Sequence, residues 1–234
     1  MPEKREESNG SDLVASAEFL GLRFTKRIGS KRFYTCVECG ARGRLHWDLA
    51  RNTGHCKECD TAFGPMQLLK PLVDKTGQAL TADRLKALAD HIGVLPEVFE
   101  GRGLGFQRGG YVVPILDQEG ELGSLRWCKP GCLIEYFPGC PRMMWGLEGL
   151  RDKDRPDAPI LLCDSEFNAM AVDFSRTKNG VHAVVLGMPG PSLGDLVIAS
   201  GYDPTSLPAV VTAVDRNAKW LSQLIDSYQS HRRN

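Results

Sequence analysis

No run of the 234-residue sequence is apolar and long enough to span a bilayer, and its start, Met-Pro-Glu-Lys-Arg-Glu-Glu, is charged without an apolar core. On this reading neither a membrane span nor a secretory signal is expected, and no membrane partner either. The expected setting is the reducing cytoplasm, where paired cysteines read as metal ligands in preference to disulfides. Net charge is also lacking, with 29 Lys and Arg against 29 Asp and Glu. No internal repeat is visible, and the Gly-rich P-loop pattern of nucleoside triphosphatases is absent. Apolar residues make up 42% and charged residues 25% of the chain. That is ordinary for a globular protein, so disorder is expected only at the ends, residues 1–10 among them.

The balanced charge hides an uneven distribution. Residues 20–57 hold Arg23, Lys26, Arg27, Lys31, Arg32, Arg42, Arg44, Arg51 and Lys57 against only Glu38 and Asp48, a local charge of about +7. Residues 158–234 carry six basic and seven acidic groups. A basic front suits a polyanion, through Arg42 and Arg44 among others; a merely solvated basic face is the plainer alternative.

Four cysteines sit in that basic stretch as Cys36-Val-Glu-Cys39 and Cys56-Lys-Glu-Cys59, with sixteen residues between the pairs. Two residues between cysteines let one tight turn present both sulfurs to a single ion, and a hairpin-length spacer brings the second pair to complete a tetrahedron. The spacing points to Zn2+; a redox dithiol pair or buried thiols are the alternatives. His46 and His55 are not needed to close such a site and read as surface or template-facing. Trp47 either stacks on a base or packs the small core. Cys128, Cys132, Cys140 and Cys163 lack knuckle spacing and read as isolated thiols.

Beyond the cysteines, a helix is expected over Met66–Val73. Another is capped by Thr81, runs through His91 and stops at Gly93. Tyr111–Leu116 and Leu122–Cys128 read as a hairpin about the turn Asp117-Gln118-Glu119-Gly120. Strand and helix then alternate: Ile160–Cys163, Glu166–Arg176, Val181–Leu186, Ser192–Ser200, Ala209–Val214 and Ala218–Tyr228. This implies a mostly parallel sheet with helices on both sides. The fold class is α/β: a small β zinc ribbon followed by a parallel α/β domain. The expected divisions are 1–75, a connecting α+β segment over 76–155, and 156–234.

Asp164 and Glu166 follow the first of these strands, and Asp215 ends the last. At the C-terminal edge of a parallel sheet, side chains project into a common crevice. Carboxylates from two strand ends can hold Mg2+, which prefers oxygen ligands. Helix capping is the plainer use of an Asp at a strand end.

Taken together, residues 15–225 resemble bacterial and phage DNA primases, which join a four-ligand zinc ribbon to a Toprim domain. The residues that carry the resemblance are the four cysteines, Asp164-Ser165-Glu166-Phe167-Asn168-Ala169, Leu186-Gly187-Met188-Pro189-Gly190, Asp215-Arg216-Asn217, and upstream Gly101-Arg102-Gly103 with the hairpin ending in Arg126. The resemblance implies a Toprim-like fold with Asp164, Glu166 and Asp215 as catalytic residues, and Mg2+ or Mn2+ on Asp164, Asp215 and Asn217. It further implies Arg126, Lys129 and Arg142 on nucleotide phosphates, and partners of single-stranded DNA, ribonucleoside triphosphates and a helicase on a separate chain. Asp164 stands where the family has Glu, and Asn217 and Asn168 where it has acidic residues. Two readings follow: a primase making short RNA primers, or a catalytically inactive, primase-like single-stranded nucleic-acid-binding or replication accessory protein.

Overall fold

A computed structural model describes residues 10–129, 135–151, 158–163, 165–187 and 211–213. The elements expected at Ser192–Ser200 and Ala218–Tyr228 lie outside the described residues. Contacts divide the chain into two compact units. One comprises Met1–Leu80, Gly103–Pro114 and Leu125–Cys140, the other Thr81–Arg102, Ile115–Ser124 and Pro141–Asn234. Among the described residues no helix is long and apolar enough to cross a membrane.

The first unit opens with helix α1 (Gly10–Phe19), whose Leu13, Val14 and Ala17 are buried. Five short strands follow: β1 (Phe24–Ile28), β2 (Lys31–Tyr34), β3 (Leu45–Asp48), β4 (Thr53–Cys56) and β5 (Ala62–Phe63). They form one antiparallel sheet in sequence order. Alternation gives it two faces, as strand geometry requires. Tyr34, Leu45, Trp47, Cys56 and Phe63 point inward and are buried. The Tyr34 hydroxyl donates to Glu18 Oε1 at 2.8 Å, which ties the sheet to α1.

Helix α2 (Pro65–Gln78) outruns the expected stop at Val73. Leu68, Leu69, Leu72, Val73 and Thr76 form a buried stripe at helical spacing, and that stripe carries the helix past Pro71. Strands β6 (Gly105–Gln107), β7 (Gly110–Leu116), β8 (Leu122–Cys128) and β9 (Glu135–Tyr136) make a second sheet in the order β6-β7-β8-β9. The turn between β7 and β8 is closed by Asp117, whose Oδ1 accepts from the amides of Glu119 and Glu121 at 2.8 and 2.9 Å.

In the second unit, α3 (Ala82–Ile92) starts at Thr81, whose side chain accepts from the Arg84 amide, and ends at Gly93 in a left-handed conformation, as expected. Strands β10 (Ile160–Cys163), β11 (Val184–Gly187) and β12 (Val211–Ala213) form a sheet in the order β11-β10-β12, both pairings parallel. Helix α4 (Glu166–Lys178) links β10 to β11.

β11 begins three residues later than the apolar pattern suggests, because α4 is still being closed there. The Gly180 amide donates to Thr177 O and the Val181 amide to Arg176 O. Those two bonds are a Schellman ending, in which Val181 is the residue beyond the turn and not a strand residue.

Gly187, which lies just past the expected strand Val181–Leu186, is the last residue of β11. A Cβ there would lie 2.8 Å from both Ala169 Cβ and Glu166 Cα, so the start of α4 packs directly on this strand end. Because backbone cannot yield as a side-chain tip can, Gly187→Ala should destabilise this unit by about 1–3 kcal/mol. A urea melt of the variant against the parent checks this, and an unchanged midpoint would contradict it.

Candidate functional site

The four cysteines come together through sheet register. Tyr34 pairs with Leu45 and Leu45 with Cys56, which sets the turn after β2 beside the turn after β4. The turns are built alike. The Cys36 amide donates to Ala41 O at 3.0 Å and the Cys56 amide to Thr61 O at 2.9 Å. Gly40 (φ 72°) and Asp60 (φ 57°), each directly after the second cysteine of its pair, take the left-handed backbone that closes the turn; Asp is among the few side chains that tolerate it.

All four Sγ atoms lie within 4.8 Å of one another. Cys36 and Cys59 are 3.8 Å apart, as are Cys39 and Cys56. A tetrahedral zinc with Zn–S bonds of about 2.3 Å has S···S edges of about 3.8 Å. The cluster therefore fits a zinc ribbon in donor type, number and spacing. Burial pushes the Cys36 thiol up to about 12, whereas the hydroxyl of Thr61 donating to the Cys59 sulfur brings that thiol down to about 7. A bound cation overrides the first effect, since a coordinating thiol is deprotonated outright.

The other face of the ribbon carries a row of side chains across four strands. Lys26 pairs with Phe33, Phe33 with His46, and His46 with His55. Lys26 Nζ lies 5.1 Å from the centre of the Phe33 ring, and the Phe33 and His46 rings are 4.4 Å apart. Partial burial, then the charges of Lys57, Lys31, His55 and Lys26, hold the His46 pKa below its ordinary value. Arg42 and Arg44 are exposed, Arg44 in a loose ion pair with Glu58 at 3.5 Å.

Trp47, read above as either a base-stacking or a core residue, is fully buried. A side chain at Gly54 would collide with its ring, so Trp47 packs the ribbon core and cannot stack on a base without unfolding it. The aromatic ring on the outer face is that of Phe33, which the sequence reading passed over. The signal was present in the alternation of Lys-Arg-Phe-Tyr and Leu-His-Trp-Asp, but only strand register tells which side faces water.

In the second unit, β10 is the middle strand, with β11 on one side and β12 on the other. The chain leaves β10 in one direction and returns on its opposite side, which makes the β10–β12 boundary a topological switch point. Leu162 is level with Ala213 there. Asp164, Asp215 and Asn217 lie outside the described residues; by count, Asp164 and Asp215 each follow that level pair by two positions. Glu166 is the first residue of α4 and is buried, while Asn168 is exposed. The cap of α4 is Ser165, whose Oγ accepts from the Asn168 amide at 3.2 Å.

Of the three basic residues assigned to nucleotide phosphates, Arg126 is buried, with its guanidinium 4.6 Å from the Tyr136 ring centre. Lys129 is exposed beside Trp127, at 5.2 Å, and Arg142 is exposed. Arg126 and Lys129 belong to the first unit and Arg142 to the second.

No protein-family model and no curated protein sequence matches the chain. Among solved structures it is similar to the zinc-binding and RNA polymerase domains of the Aquifex aeolicus primase, at 14% identity and a TM-score of 0.43, over 96% of this chain and 76% of that one. It is similar to the DnaG primase catalytic domain bound to single-stranded DNA, at 14% identity and a TM-score of 0.47, over 68% of this chain and 64% of that one. It is also similar to a chain of a bacteriophage T7 assembly in which lagging-strand DNA polymerase interacts with primase domains bound to an RNA/DNA hybrid and dTTP. There the identity is 14% and the TM-score 0.39, over 88% of this chain and 94% of that one.

Proposed function

We propose that the chain is a zinc-ribbon, Toprim-type primase that makes short RNA primers on single-stranded DNA from ribonucleoside triphosphates. The observation that carries this reading is the order β11-β10-β12 with parallel pairing. In open parallel sheets ligands bind beyond the strand ends at the switch point, which is where the sequence continues into Asp164 and Asp215. Helix capping, the competing use for Asp164, is already performed by Ser165.

Under this proposal Asp164, Glu166 and Asp215 are the catalytic residues. Asp164, Asp215 and Asn217 would hold Mg2+ or Mn2+, which supplies charge neutralisation of substrate phosphates and a more acidic attacking hydroxyl. Arg126, buried against Tyr136, and Lys129 and Arg142, both exposed, are the basic residues proposed for nucleotide phosphates. A replicative helicase would be a separate partner. The test is incubation with single-stranded DNA, labelled ribonucleotides and either cation, read as short RNA products. Asn217 and Asn168 favour the second reading, a nucleic-acid-binding accessory without synthesis.

The ribbon is assigned zinc on its four cysteines and single-stranded DNA on its outer face. Rings flanked by cations bind unpaired bases by stacking, and the surrounding Lys and Arg bind the backbone. Phe33→Ala should weaken binding by about 1–3 kcal/mol, the worth of one stacked base, with little change in salt dependence. Arg42→Ala with Arg44→Ala should flatten the slope of log affinity against log salt, by about 0.7 for each lost phosphate contact. Fluorescence anisotropy over a salt series separates the two effects. Equal binding by all three proteins would move the interface off the ribbon.

A further inference from the structure

The second unit holds a cavity of about 180 Å³, lined by Arg102, Trp145, Glu148, Asp173, Arg176 and Val184 among others. Val184 begins β11, and Asp173 and Arg176 lie in the later turns of α4. The cavity therefore sits by the strand beginnings, at the opposite end of the sheet from the ends of β10 and β12.

Its polar groups are arranged unevenly. Asp173 is 8% exposed and accepts from Arg102 Nη1 at 2.6 Å, from Arg176 Nη2 at 2.5 Å and from Arg176 Nε at 2.7 Å. Two guanidinium groups thus share one carboxylate. Arg102 is presented by a loop with Gly101 and Gly103 at φ 70° and 68°, and its guanidinium stands 5.5 Å from the Trp145 ring centre. Both arginine side chains keep about a quarter of their surface open, at 24% and 23%.

Glu148 stands on the 3-10 turn Leu147–Arg151. Its Oε2 is buried with no hydrogen-bond partner among the described residues. Burial raises its pKa above the ordinary carboxylate value; Asp173 acts in the same direction and Arg102 against it. A purely structural clamp of Arg102 onto α4 requires neither a cavity nor an unpartnered oxygen. An anion in the cavity accounts for both: it completes the charge balance and gives a protonated Glu148 an acceptor.

We propose that this cavity is a phosphoanion site, in which Arg102 and Arg176 bind the phosphate oxygens of free pyrophosphate or of a nucleotide and Glu148 donates a hydrogen bond to them. The assignment does not rest on the primase reading. The experiment is calorimetric titration of the full chain, without divalent cations, with sulfate, pyrophosphate and ATP. Saturable binding is expected for all three, with sulfate, whose charge is constant from about pH 5 to about pH 8, binding more tightly toward acid as Glu148 takes up its proton.

Arg176→Gln should weaken binding about tenfold or more. Arg102 still partners Asp173 in that variant, and an unchanged circular-dichroism melt confirms its fold. Glu148→Gln, which donates at every pH, should bind sulfate with a flat pH profile. ATP binding tighter than pyrophosphate identifies a nucleotide site, and equal binding a free pyrophosphate site. Absence of saturable binding, or binding that neither variant alters, would overturn the proposal.

Discussion

Cys56→Ser is expected to remove zinc from the chain and unfold the ribbon, while β10, α4 and β11 keep their structure. The ribbon has little else to fold on. Apart from the cysteines, Tyr34, Leu45, Trp47 and Phe63 are its large buried side chains, far short of an independent core. Zinc bound to four thiolates contributes about 10–16 kcal/mol to folding in small zinc domains, at least as much as the burial of those four side chains, about 6–12 kcal/mol. Serine matches cysteine in size but not as a soft donor, so Cys39 would lose the sulfur 3.8 Å away that completes its edge of the tetrahedron. Elemental analysis should give one zinc per parent chain and none in the variant. Hydrogen exchange should show Trp47 and Lys57 amides exposed, with α4 protected as before. Parent protein purified without chelator and found free of zinc would end this assignment.

Local signals in the sequence carried far where one residue or one short spacing decides the outcome. The Cys-x-x-Cys pairs, Thr81 and Gly93 about α3, Asp117 in its turn and the four apolar residues of β10 are such cases. Signals failed where the answer lies in the pairing of distant segments. Trp47 and Phe33 are both aromatic residues on short strands in a basic region. Which one meets water depends on the Phe33–His46 register, and β1 adds an irregularity between Phe24 and Lys26 before Lys26 falls opposite Phe33. Val181 was apolar enough for a strand, yet the Schellman ending of α4 claimed it. The Arg102–Asp173–Arg176 cluster was illegible for the same reason: its members lie up to 74 positions apart in sequence, and only the packing of α4 brings them together.

Asp215→Asn is expected to abolish primer synthesis while leaving zinc content and binding to single-stranded DNA unchanged. Asp215 follows β12, which runs parallel to the central strand β10 at the switch point, and it keeps a full negative charge where Asn217 does not. A hard cation gains much more from a charged oxygen than from an amide oxygen, so under the proposed function Asp215 would be the main anchor of the cation. Asn217→Asp makes the converse change: it adds a second carboxylate two positions on, should tighten Mg2+ binding, and should leave synthesis equal or raised. The two substitutions also separate the competing readings. In a primase the first abolishes product and the second does not; in an accessory protein the parent makes no primers, and the pair alters only cation affinity. Primer synthesis that survives Asp215→Asn in full would remove this strand end from the catalytic centre.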